Sequence, residues 1–335
     1  MNISKEVIPI CFATNDGYFP FMSVAIQSVI ANASKERTFI IYILCKNVSE
    51  DNQQLLSQQL DEHKNFSVVY VNVENFILRH QQMRDYCLGI ETYYRLLIPY
   101  IFTDHKKVIY LDCDTICLSD IVELYEMVPT NFMIAASRDF AMMNWKEYCK
   151  KIDLKNHINY FNAGVLVFNT EVFRSKVSED ELFEIVSMPD LFLPDQCSLN
   201  KACEGNTFFL NMSWNVMGTP HKNKPKGRYL KELMNAQKHQ NIIHYVWDKP
   251  WRNFTLTDRS RPFWKYARST KFVDNIYSKL KEIELETYYD YRLSVYNDIR
   301  CHRNYNLNFI LKSVLLFVKY NFLSGPMRFL FKSAR

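Results

Sequence analysis

Glycine is scarce in this chain. Seven glycines and eleven prolines in 335 residues leave no flexible or low-complexity linker, and no segment repeats at solenoid periods. With 48% hydrophobic and 15% aromatic residues, the chain is not disordered. It can bury a sizeable core, as one large domain with additions or as two domains. Paired cysteines are missing too. Nine is an odd number, no two form a C-x-x-C pair, and Cys11, Cys45, Cys87 and Cys197 lie within apolar runs. That pattern excludes a disulfide framework and fits reduced core thiols in a reducing cytoplasm. Cys113 and Cys117 have no second cysteine or histidine couple nearby, which argues against structural zinc. No stretch approaches the roughly 20 uninterrupted apolar residues that span a bilayer. The start, MNISKEVIPICFATNDGY, enters a strand pattern without the basic and apolar regions of a secretory signal, so a cytoplasmic protein is expected.

Acidic residues are absent from one end. Between Arg300 and Arg335 stand seven Lys or Arg and no Asp or Glu, leaving 34 basic against 36 acidic residues elsewhere, so the formal +5 belongs to the tail. Charge so localised argues against a nucleic-acid groove over the whole protein and for one basic docking element. In NFILKSVLLFVKYNFL, a helix would place Asn308, Lys312 and Lys319 on one side, with Ile310, Leu311, Val314, Leu315, Phe317 and Val318 over the rest. Basic and aromatic residues continue through MRFLFKSAR. This composition suits a helix lying in an anionic membrane surface, each basic residue contributing about 1 kcal/mol. The alternative is a core-packing helix with a solvated basic face. The expectation is peripheral association with the inner face of the cell membrane.

What is present is an alternation of strands and helices. Val7–Thr14, Phe39–Cys45, Phe66–Val73 and Val108–Asp112 are short β-rich apolar runs, and Tyr18–Ala33 and Ser49–His63 between them have helical character. Such alternation predicts an α/β fold with a largely parallel sheet covered by helices on both faces. Ligands of such sheets bind beyond the carboxyl ends of the strands. Polar residues gather at those ends: Asn15, Asp16 and Tyr18; Asp112 and Asp114; Ser137, Arg138 and Asp139 after the apolar run Asn131–Ala136; and Asn162 before Ala163–Phe168. Beyond about residue 255 the pattern is helical, over Pro262–Leu280 and Lys281–Asn297, which predicts a catalytic domain over 1–280 and a helical basic and aromatic tail over 281–335.

VIYLDCDTICL, Val108–Leu118, carries the chemistry. Two aspartates one residue apart at a strand end suit a phosphatase nucleophile and acid, or a clamp holding a metal against a nucleotide diphosphate. Asp112, Asp114 and Thr115 fit the first motif of the haloacid-dehalogenase-like phosphatases. In that family the strand comes near the start of the domain and a later strand end carries a second acidic pair; here several strands precede it and no later apolar run ends in two acids.

The clamp has its other parts in order along the chain: FATNDGYFPFMSVAIQSV at the start, TYYRLLIP at 92–99, VIYLDCDT at 108–115, YFNAGVLVFN at 160–169, LPDQCSLN at 193–200 and HYVWDKPW at 244–251. In these six blocks, from about Val7 to Trp251, the chain resembles the retaining glycosyltransferases of family 8, which include bacterial lipopolysaccharide galactosyl- and glucosyltransferases and the glycogenins. The resemblance implies a GT-A fold, with a Rossmann-like, mixed, mostly parallel sheet. It implies transfer of glucose or galactose from a UDP-hexose to a lipopolysaccharide-core, lipid-linked oligosaccharide or other surface-glycan acceptor. It also implies a metal held by Asp112, Asp114 and His244. Two hard oxygen donors with one borderline nitrogen suit Mn2+ and tolerate Mg2+. Ala13, Thr14, Asn15, Tyr18, Arg95, Cys113 and Lys249 are implied as the nucleotide side of the donor site, Tyr18 stacking on uracil. Asp139, Asn162, Asp195 and Gln196 are implied as the sugar side, with Asp195 and Gln196 as catalytic candidates.

Bland readings stand beside these: an N-D-G turn for the first loop, a helix-surface arginine for Arg95, a buried strand histidine for His244. The family usually reads H-x-x-G-x-x-K-P-W, whereas this chain has no glycine and one residue fewer between His244 and Lys249. The lost glycine removes close backbone approach to the phosphate. A second functional reading is a nucleotide-sugar or glycan binding protein without turnover.

Overall fold

Ile8–Ala13 forms strand β1, and all six of its side chains are buried, as a central strand covered on both faces requires. The computed structural model describes residues 7–80, 89–189, 191–218, 225–246, 249–252, 257–280 and 282. The further strands are β2 (Phe39–Cys45), β3 (Phe66–Asn72), β4 (Lys107–Leu111), β5 (Thr115–Cys117), β6 (Ile134–Arg138), β7 (Phe161–Asn169), β8 (Thr207–Leu210), β9 (Val216–Met217) and β10 (Ile242–His244). Seven of them make one sheet in the order β3-β2-β1-β4-β7-β6-β8. β3, β2, β1 and β4 are mutually parallel, and β6 is parallel to β8. β7 runs antiparallel to both β4 and β6.

This order fixes where a ligand can bind. The chain leaves β1 for β2 and β3 on one side and returns to β4 on the other, so the crevice at the carboxyl ends of β1 and β4 is the topological switch point. Because β7 is reversed, its beginning lies at the same rim: Leu111 pairs with Val165, and Asp112 donates its N–H to the Gly164 carbonyl at 2.8 Å.

A small second sheet, β5-β10-β9, closes the long gap in sequence between the first loops and His244. β10 pairs antiparallel with β5, setting His244 opposite Thr115, next to Asp114. Helix α1 (Phe19–Asn32) anchors this sheet. Nearly all of α1 is buried, so its polar side chains need partners. Ser28 Oγ accepts the Cys117 N–H at 2.8 Å while donating to Ala25 O, and Asn32 Nδ2 donates to Cys117 O at 3.0 Å.

Several boundaries differ from the sequence expectation. β6 starts at Ile134 rather than Asn131 and extends through Arg138, while β7 takes in Asn162 and ends at Asn169. The second helix, α2, is Glu50–Leu60, inside the expected Ser49–His63. The expected helix over 262–280 is broken: Arg261–Ala267 is helical, then Thr270 Oγ1 donates to the Ala267 carbonyl and accepts the Phe272 N–H, diverting the backbone until the helix resumes at 273.

Seven described cysteines are free and buried, as expected of core thiols; Cys87 and Cys301 lie outside the described residues. The chain divides into two units, 1–250 with 255–276, and 251–254 with 277–335. The expected helix over 281–297 and the basic tail lie outside the described residues, Glu282 apart. Among the described residues no helix is long and apolar enough to cross a membrane.

Candidate active site

Asp112 and Asp114 follow β4 in a turn closed by Thr115. The Thr115 hydroxyl and N–H both donate to the Asp112 carbonyl, at 2.8 and 3.1 Å, so this threonine serves the loop. The turn faces both acids toward His244: Nε2 stands 3.2 Å from Asp114 Oδ1 and 3.5 Å from Asp112 Oδ2. One ligand atom from each of the three residues lies within 4.8 Å of the others, the geometry of donors around a shared ion. The backbone makes room for them. A Cβ on Gly164 would sit 2.1 Å from His244 Cε1 and 2.7 Å from Asp112 Oδ2, so the imidazole and the carboxylate occupy the space a side chain would fill.

Cations surround this corner. Arg95, in the 3-10 helix Ile90–Leu97, is not on the surface. It is buried, and its guanidinium bonds Asp112 Oδ1 at 2.9 Å, Asp195 Oδ2 at 3.2 Å and the Ala163 carbonyl at 2.7 Å. Burial works against its charge, but Asp112, then Tyr110 and Asp195, hold its pKa above the ordinary value. Tyr110 donates to Asp112 Oδ1 at 2.7 Å, so both oxygens of Asp112 are held. Lys249 bonds the Asp114 carboxylate and donates to Tyr245 O at 3.1 Å. Burial would push the Asp114 carboxyl up; Lys249 and His244 overcome this and hold it well below the usual range. Burial likewise opposes the Lys249 charge, and Asp114 and then Tyr18 restore it. The shortened loop therefore still delivers Lys249 to the acids; residues 247 and 248 of HYVWDKPW lie outside the described residues.

The sugar-side candidates meet next to this corner. The helix Pro194–Ala202 is docked on β7 by Asn200, whose amide accepts the Phe161 N–H at 2.7 Å and donates to the Phe161 carbonyl at 2.9 Å. That docking turns Gln196 onto Asn162 and Asp139. Asn162 donates to Gln196 Oε1 at 3.1 Å, and Gln196 donates to Asp139 Oδ2 at 3.2 Å. Asp139 also accepts the N–H groups of Ala141 and Met142, yet burial prevails and raises its carboxyl pKa. Burial raises Asp195 in the same way, against the pull of Arg95.

Among the nucleotide-side candidates, Thr14 is buried and Asn15 exposed at the end of β1. Asn15 Oδ1 accepts the Tyr18 N–H at 3.0 Å, and Asp16 Oδ1 accepts the N–H and hydroxyl of Ser49 and the amide of Asn52. The N-D-G segment is thus a turn tied to the start of α2. Tyr18 is part-exposed, its ring edge-on to Phe21 at 5.5 Å. The Cys113 thiol, its pKa pushed up by burial, donates to the Ala13 carbonyl at 3.1 Å and joins the two loops.

Two further residues, Gly164 and Asn215, shape this corner. Gly164 had a signal in the sequence, since an isolated glycine inside a strand marks close approach of another group. Asn215 had none: it precedes a two-residue strand, and only the fold brings its Oδ1 to 2.9 Å from His244 Nδ1.

A D-x-D corner and a cluster of buried amides at the switch point of this α/β sheet define a glycosyltransferase of the GT-A fold. The chain belongs to glycosyl transferase family 8, whose family profile matches residues 9–255. It is similar to the general stress protein A of Bacillus subtilis, 24% identical over 80% of this chain and 95% of that one. It is also similar to the lipopolysaccharide 1,2-glucosyltransferase of Escherichia coli, 22% identical over 76% of this chain and 75% of that one. Among solved structures, the galactosyltransferase LgtC in complex with donor and acceptor sugar analogs is 27% identical, with a TM-score of 0.64 over 78% of this chain and 96% of that one. The bifunctional WbbM is 25% identical, with a TM-score of 0.74 over 83% of this chain; the chain spans about half of its length.

Proposed function

We propose that the protein is a retaining hexosyltransferase that moves glucose or galactose from a UDP-sugar to a lipopolysaccharide-core or other surface-glycan acceptor. The observation that carries this reading is the meeting of Asp112, Asp114 and His244 with Asp139, Asn162 and Gln196 at one rim of the sheet. Mn2+ held by the first three would supply Lewis-acid neutralisation of the charge growing on the diphosphate. Arg95 and Tyr110 orient Asp112, and Lys249 adds positive charge beside the same diphosphate. Tyr18 and the Ala13–Asn15 backbone border the uridine side, and the buried amides select a hexose whose hydroxyls complete their hydrogen bonds.

Retention by a double displacement needs a free carboxylate nucleophile. Gln196 is an amide, Asp195 is bound to Arg95, and Asp139 accepts from Gln196 and from the Ala141 and Met142 N–H groups. The transfer therefore proceeds on one face: the acceptor oxygen bonds to the anomeric carbon as the carbon–phosphate-oxygen bond breaks, and the departing oxygen takes the acceptor's proton. Gln196 stabilises the positive charge on the sugar.

A panel of UDP-sugars tested for Mn2+-dependent hydrolysis should show one hexose donor consumed without acceptor. Binding without any hydrolysis would favour the alternative, a nucleotide-sugar binding protein. Phosphomonoester hydrolysis requiring Asp112 as nucleophile would overturn both.

Residues 281–335 form the proposed membrane-associating tail beyond a catalytic domain over 1–280, on the cytoplasmic face of the cell membrane. With seven basic and no acidic residues from Arg300 onward, the full chain should bind vesicles of anionic phospholipid and be released by salt. Equal affinity for neutral vesicles would remove the electrostatic part of the proposal.

A further inference from the structure

Two main-chain N–H groups at the start of β7 fix the orientation of three amides in the site, those of Gln196, Asn162 and Asn215, because a backbone N–H can only donate. Ala163 N–H donates to Gln196 at 2.9 Å, so that Gln196 atom is its oxygen, and its NH2 turns to Asp139 Oδ2. Gly164 N–H donates to Asn162 at 3.0 Å, so that atom is also an oxygen, and the Asn162 NH2 points to Gln196. Asn215 stands 2.9 Å from the same Asn162 oxygen and must present its NH2 there. Its own oxygen therefore faces His244 Nδ1. An oxygen can only accept, so Nδ1 carries a proton, and Nε2 is the ring nitrogen that faces Asp112 and Asp114. Exposures of 2% for Asn215, 3% for His244 and 6% for Asn162 leave little room for water to substitute for any link.

We infer that Asn215 is a positioning residue, which fixes the His244 ring with Nε2 toward the acids and couples the metal corner to the sugar-side amides through Asn162. The inference rests on reading Asp112, Asp114 and His244 as a shared cation site. Asn215 is not one of the three clustered donors. Its acceptor end aims Nε2 at the acids, and its donor end holds Asn162, whose NH2 reaches Gln196 and Asp139.

The two ends can be separated. Asn215→Ala loses both, whereas Asn215→Asp keeps an acceptor for Nδ1 and loses the donor to Asn162. In the metal-free full chain labelled with 15N-histidine, wild type and N215D should show a His244 Nδ1 proton protected from exchange with solvent, and N215A should lose that protection. Mn2+ titration followed by electron paramagnetic resonance should show N215A weakened about 10–100-fold and N215D unchanged or tighter. N215D should instead raise the KM for the UDP-sugar. N215A with wild-type Nδ1–H protection and Mn2+ affinity overturns the inference. So does N215D weakened for Mn2+ as much as N215A. If N215A fails to fold, N215D decides alone through its Nδ1–H protection and its split between Mn2+ affinity and KM. Equal Mn2+ binding by wild type and H244A would sink the cation site itself, a result distinct from any change at Nδ1.

Discussion

Gly164→Ala should abolish Mn2+-dependent turnover while leaving a folded protein. The added Cβ would lie 2.1 Å from His244 Cε1 and 2.7 Å from both His244 Nδ1 and Asp112 Oδ2. Contacts that short are relieved cheaply only if a flexible side chain can move aside, and neither can. The His244 ring is held at Nδ1 by Asn215, and its carbonyl accepts from Arg259 Nη2 at 2.6 Å within the β5-β10-β9 sheet. Asp112 is held by Arg95 and Tyr110. The substitution therefore displaces two of the three proposed ligands together. Mn2+ affinity should fall by at least the roughly 10–100-fold typical of losing one supporting contact. The stability cost should be the roughly 1–3 kcal/mol of overpacking, measurable by chemical unfolding. A G164A protein that binds Mn2+ and turns over UDP-sugar like wild type would show that the imidazole and the acids do not share an ion.

The parts legible in the sequence were those decided locally. The buried strands β1, β2 and β4 show as continuous apolar runs, and the acids end one of them because side chains that need solvent or ligand belong beyond a strand's carboxyl end. Direction was not legible. FNAGVLVFN reads the same whether the strand runs parallel or antiparallel, yet only the reversed β7 brings Asn162 and Gly164 to the rim that holds Asp112. Partners were not legible either. Arg95 has the look of a helix-surface residue until Asp112 and Asp195 close around it, and Cys113 looks like a core thiol until it meets Ala13. Lys249 reaches Asp114 although its loop lacks a residue and a glycine, because the β5–β10 pairing has already placed His244 beside that acid.

Gln196→Ala should lower kcat by about two orders of magnitude, the usual cost of removing one group that stabilises charge only in the transition state, while UDP affinity stays near wild type. The separation is built into the site. Gln196 lies with Asp139 and Asn162 on the proposed sugar side, whereas the uridine-side candidates Asn15 and Tyr18 form a turn closed by its own hydrogen bonds. The substitution also has a structural cost, because Gln196 Oε1 accepts from both Ala163 N and Asn162 Nδ2. Leaving those buried donors unpaired costs about 1–3 kcal/mol. Unfolding and UDP binding must therefore be measured beside turnover. A folded Q196A chain with intact UDP affinity and collapsed kcat places this amide at the reacting carbon. Loss of UDP affinity in step with turnover would instead make Gln196 part of the scaffold that shapes the whole donor pocket. The front-face transfer would then need another group to stabilise the sugar cation, and Asp195, held by Arg95, is the nearest carboxylate in sequence.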